Sequence, residues 1–145
     1  MLEIDHPSLG NLNIALRTDG QHDAPSDEQL AAIRRLQSVG DSINTKIANA
    51  TRHFADNWVG LDQFDYLRDE DFGIRFSGGI VLPVDSNGRT YLILHGESEV
   101  DIEHGLACVF GPDGRFGVTH ADVAFSPPDP DGYDELAAVV DSAQT

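Results

Sequence analysis

Between residues 72 and 125 the chain alternates apolar, strand-like runs with glycine-rich turns, and this stretch commits it to a fold built on a sheet. Phe72, Ile74, Phe76, Ile80 and Leu82 share one parity. Ser77-Gly78-Gly79 interrupts them and predicts a bulge or short hairpin, with Pro83 near the strand end. Asp85-Ser86-Asn87-Gly88 predicts a tight hairpin turn, because Asn-Gly tolerates positive φ. Residues 89–95 and 106–110 follow as strands. Both are apolar on two faces (Tyr91, Leu92, Ile93 and Leu94 in the first), so both should be central. Gly111-Pro112-Asp113-Gly114 is a second turn, after which Phe116, Val118 and His120 alternate.

The earlier residues supply one strand and two helices. Leu12, Ile14 and Leu16 alternate with polar neighbours over residues 9–18, and Asp19-Gly20 should end that strand. Ser26-Asp27-Glu28-Gln29 is a capping box with acids in the first turn, and Gly40 is a stop. Asp41 or Ser42 restarts the chain, and Ile43, Ile47, Ala50, Phe54 and Trp58 form an apolar stripe, which places Trp58 in the core. Residues 61–71 read as a loop with one helical turn. Pro127, Pro128 and Pro130 break regular structure before a last helix at 133–142, whose docking site the pattern leaves open. The expected architecture is α+β: an antiparallel sheet of about five strands, a typical size, with a helical hairpin packed on one face. The expected organisation is a single domain over 1–145, with its core at 9–125 and a C-terminal tail or helix at 126–145.

Charge bounds the function. Twenty-five acidic side chains oppose nine basic ones, a formal net charge of −16, and Lys46 is the only lysine. Such a surface repels phosphate backbones, so no nucleic-acid partner is expected; the charge reads first as solubility, then as attraction for a basic protein partner, and last as cation binding. Residues 1–5 carry no signal pattern and no run reaches the ~20 apolar residues of a membrane span, so the expected location is cytoplasmic, without membrane association. The single cysteine, Cys108, lies in an apolar strand and reads as packing.

No catalytic residue stands out. Ser77, Ser86 and Ser98 lie outside a GxSxG elbow, and Ser77-Gly78-Gly79 lacks the Lys-Ser/Thr of a phosphate loop. No cofactor is predicted. The residues that could carry chemistry are His95, Glu97, Glu99, Asp101, Glu103, His104, His120 and Asp122. Were His95, His104, His120 and Asp122 to converge, their donors would suit zinc, manganese or iron. The alternating Glu97, Glu99, Asp101 and Glu103 read more simply as an exposed acidic edge. His104 reads as a structural histidine that bonds the backbone and fixes a turn, with Gly105 taking the unusual torsion.

Asp101-Ile102-Glu103-His104-Gly105-Leu106, followed by an apolar strand, a turn and Phe116-Gly117-Val118, resembles a group of small uncharacterised bacterial domains with a Glu-His-Gly-Leu hairpin motif. Pro25-Ser26-Asp27-Glu28-Gln29 is similar to the helix start of that group. The resemblance spans residues 9–125; Val100 stands where the group commonly has tryptophan. Some of these domains are associated with toxin-immunity loci, which implies an interaction role. The expected function is therefore an acidic, non-enzymatic protein-binding module, such as an immunity-type inhibitor of a basic toxin. Phe64, Tyr66, Glu97, Glu99, Asp101 and Glu103 are its candidate binding residues. The alternative is a metal-binding protein or metal-dependent enzyme.

Overall fold

The computed structural model describes residues 2–18 and 24–143. A six-stranded mixed sheet runs in chain order: β1 (Leu2–His6), β2 (Gly10–Leu16), β3 (Arg75–Val81), β4 (Leu92–Glu97), β5 (Leu106–Phe110) and β6 (Phe116–His120). Every neighbouring pair is antiparallel except β2 and β3. Those two are parallel because two helices, α1 (Asp27–Gln37) and α2 (Ile43–Trp58), lie between them in the chain, and a parallel return needs a long crossover. The fold class is α+β, but the expected all-antiparallel sheet of about five strands is corrected to six strands of mixed direction. The extra strand is β1. Its Leu2 and Ile4 pair with Ile14 and Leu12 across a short reversal, a period-two signal too short to stand out. The expected Asp19-Gly20 strand end lies outside the described residues.

The sheet is covered on both faces. Ala32, Ile33 and Leu36 of α1 and Ile43 and Ile47 of α2 pack on Leu12, Ile14, Val81, Leu92, Leu94, Cys108 and Phe110. The Ser26 capping box opens α1. Gln29 then reaches the sheet, its amide donating to the carbonyls of Arg17 at 2.7 Å and Leu82 at 3.0 Å. The last helical segment docks on the opposite face, so the one-sided helix layer is also corrected. Helices α3 (Asp122–Phe125) and α4 (Asp134–Ser142) place Ala124, Leu136 and Val140 against Ile93, Ala107 and Val109. Gly117 permits this docking: a Cβ there would lie 2.2 Å from the Val139 carbonyl oxygen. Tyr133 is fully buried under the same face, and its hydroxyl donates to the Pro83 carbonyl at 2.5 Å.

Strand β5 is buried along its whole length, as its two-sided apolar run predicts. The predicted hairpin turn at 85–88 forms, with the Gly88 amide donating to the Asp85 carbonyl at 3.1 Å. Gly88 takes the positive φ (77°), and Asp85 Oδ1 accepts the amides of Asn87 and Arg89. Residues 61–72 hold two short 3-10 turns, Leu61–Phe64 and Asp69–Phe72, rather than one.

Candidate functional site

The site grows from the loop between β4 and β5. Asp101 is nearly buried, and its two carboxylate oxygens are shared between two histidines. Oδ1 accepts the His104 backbone amide at 3.2 Å and lies 3.2 Å from His104 Nδ1. Oδ2 lies 3.0 Å from Nδ1 of His120, the last residue of β6. Burial pushes the Asp101 carboxyl up, but the bonds from His120 and from the His104 backbone and ring outweigh it. The net effect holds the carboxyl below its usual value. An ionised carboxylate only accepts, so Nδ1 is the donor in both imidazoles.

The Asp101–Gly105 turn follows from these bonds. Gly105 takes φ 79° and donates its amide to the Asp101 carbonyl at 2.8 Å. The glycine behaves as expected, but the fixing group is the Asp101 carboxylate rather than the His104 ring, which is largely exposed. The reason is burial: the aspartate is under the loop, while the imidazole extends from it.

His120 is framed by α2. Its ring meets Trp58 edge-on at 4.7 Å between centroids and Phe54 at 5.0 Å. Trp58 is 44% exposed, contrary to the core position its stripe suggests. The buried residues of α2 are Ile43, Ile47, Thr51 and Ala55. The seam therefore runs through Thr51, whose hydroxyl is satisfied by the Ile47 carbonyl at 2.9 Å, and it leaves Phe54 and Trp58 on the margin. Counting a threonine among the inward positions is the signal that could have placed Trp58 at the surface. Beyond the dyad, Ile102 is 75% exposed and Glu103 is exposed. The Trp58–His120 contact thus lies beside the buried Asp101, and Ile102, the residue that follows Asp101, is exposed.

The remaining predicted residues divide. Glu97 and Glu99 lie 3.6 Å and 3.5 Å from Arg75, which ties the acidic loop to β3. Tyr66 is exposed. Phe64, a candidate contact residue, is only 8% exposed; it packs with Val100, Leu106 and Val118 and supports the loop from beneath. Its place at the end of a 3-10 turn directs it inward.

The four groups of the metal alternative do not converge. His95 pairs with Ala107 and His120 with Leu106. Those partners are consecutive in β5, so the two histidines emerge on opposite faces of the sheet. His95 instead meets Phe125 in a tilted contact at 4.7 Å between centroids, and burial lowers its basicity. Asp122 does not continue β6 in period two, because it opens α3. Among the described residues, no group of three or more His, Cys, Asp or Glu side chains is arranged to hold a metal ion. Cys108 is fully buried and burial pushes its thiol well up. Ser98, also buried, uses its Oγ to accept the Val100 amide at 3.0 Å. No helix is long and apolar enough to cross a membrane among the described residues.

No family model matches the chain. No solved structure matches it. The chain is similar to a protein of Arabidopsis thaliana named as an F-box protein, At3g13830, with 30% identity over 102 residues, 70% of this chain. It spans about a quarter (25%) of that curated relative's length.

Proposed function

We propose that the protein is an acidic, non-enzymatic protein-binding module that recognises a basic protein through the face around Asp101 and His120. The observation that carries this reading is the exposed Trp58, whose ring meets His120, together with the exposed Ile102 that follows Asp101 in the acidic loop of Glu97, Glu99 and Glu103. Large apolar side chains left in water beside oriented polar groups are the composition of an interface centre, where a few aromatic and aliphatic anchors carry most of the binding energy. The net charge of −16 supplies long-range attraction for a cationic partner. A finer reading, supported by the resemblance of the Glu103-His104-Gly105-Leu106 element to bacterial domains of toxin-immunity loci, is an immunity-type inhibitor of a basic toxin. On this reading Tyr66 and Glu103 are peripheral contacts, and Phe64 acts by supporting the loop.

The test is capture of partners on immobilised protein at low ionic strength, in parallel with Trp58→Ala and Ile102→Asp. The expected result is a basic protein that is released by salt and absent from both variants. Capture that is equal on wild type and variants, or no salt-sensitive partner at all, would remove this reading.

A further inference from the structure

At the other end of β6, about 13 Å from His120 at the usual strand rise per residue, lies a cleft whose charged lining is entirely basic. It has a volume of about 510 Å³. Lys46, Asn49, Ala50 and His53 form one wall; their spacing of three, one and three places them on a single stripe of α2. Arg115 and Phe116, from the turn and strand start opposite, form the other. Among the described residues no acidic side chain lines it, in a chain where acids outnumber bases by 25 to nine. Lys46 makes no ion pair among the described residues. Arg115 is held from behind by Asp113 at 2.6 Å and more loosely by Asp141 at 3.5 Å. The first contact orients the guanidinium; the second is long enough to be exchanged. His53 Nε2 meets the Ser142 carbonyl at 2.9 Å, which positions its ring at the rim.

We infer that this cleft binds a small organic phosphate, with the phosphoryl group between Lys46 and Arg115 and the organic part over Phe116 and Ala50. Its volume falls in the range of small-molecule sites, where a few placed polar and charged groups fix the ligand's orientation. A guanidinium opposite an ammonium matches the several oxygens of a phosphate monoester, the guanidinium in a fork and the ammonium as a point charge. The site is distinct from the proposed protein-binding face, since the two lie at opposite ends of β6.

The experiment is titration of the full chain with phenyl phosphate and, separately, inorganic phosphate, followed by amide chemical shifts and calorimetry. Lys46→Glu is the test variant. Arg34→Glu, on the exposed side of α1, makes the same change in net charge elsewhere. The inference predicts saturable binding of phenyl phosphate in the millimolar range or tighter, with shifts centred on Lys46, Asn49 and Arg115. It also predicts an affinity loss of about tenfold or more in Lys46→Glu, from loss of a charge-assisted contact, and little change in Arg34→Glu. Thermal melting confirms that both variants fold. Absence of saturable binding, equal losses in the two variants, or inorganic phosphate binding as tightly as phenyl phosphate would each overturn it.

Discussion

Asp101 Oδ2 stands 3.0 Å from Nδ1 of His120, so a loop carboxylate is fastened to the end of a strand two elements away from the one it follows. The bond crosses the mouth between the β4–β5 loop and β6. It holds the His120 ring against Trp58, on the face that we assign to partner binding.

Replacing that carboxylate tests the arrangement directly. Asp101→Asn keeps the shape and removes the charge. A loss of about 1–3 kcal/mol in urea unfolding at neutral pH is expected, the range for a buried group losing charged partners. The Asp101 carboxyl is depressed in the fold, so its contribution is fully present above the unfolded carboxyl value of about 4. It is lost as pH falls through the lower, folded value. The stability gap between wild type and variant should therefore be widest near neutrality and narrow below about pH 4, the unfolded value. A gap independent of pH would contradict the assigned bonds.

Trp58→Ala separates folding from recognition. The indole is half in water, so the expected cost to stability is about 1 kcal/mol or less, far below that of truncating a core aromatic. The His120 ring protons should shift in NMR spectra, because the indole lies 4.7 Å away. A drop of several kcal/mol would instead make Trp58 a core residue.

Gly105→Ala should be among the most damaging single-methyl changes. A side chain at φ 79° is strained, at about 1–2 kcal/mol. The new Cβ would also lie 2.5 Å from the Gly96 carbonyl oxygen. The expected outcome is a marked fall in melting temperature together with loss of the His104 and His120 chemical-shift signatures. A wild-type melt would show that the turn is not built as described.

Tyr133→Phe tests whether the second helical layer is fastened as described. Removing the hydroxyl leaves the Pro83 carbonyl without that donor in a buried site, at a cost of about 1–2 kcal/mol. Hydrogen exchange should quicken first in α4 and the 83–91 turn region. An unchanged exchange pattern would mean that the tether carries no weight.

Local order was legible because it depends on neighbours in the chain. Ser26 and Gln29 cap α1 as their spacing predicts, Pro83 lies just past β3, and residues 106–110 are buried on both sides. The acidic character of the 97–103 loop was legible too, since it is written in four alternating side chains. The aromatic half of the site was not. Phe54 and Trp58 lie on a stripe that periodicity assigns inward, and only the docking of α2 through Thr51 turns that stripe to the margin.

By itself, then, the sequence determined the α+β class, most of the strands and turns, and a strongly acidic net charge. Tertiary structure alone decided direction and facing. Whether β2 and β3 run parallel depends on where the chain re-enters the sheet after two helices. Whether α4 covers the second face depends on the space above Gly117. His95 and His120 have the same chemistry, but register with adjacent residues of β5 sends them to opposite sides. Periodicity states which side chains share a face of one element. Which face meets which partner is set by strand pairing between residues distant in the chain, where a shift of one residue exchanges inside and outside.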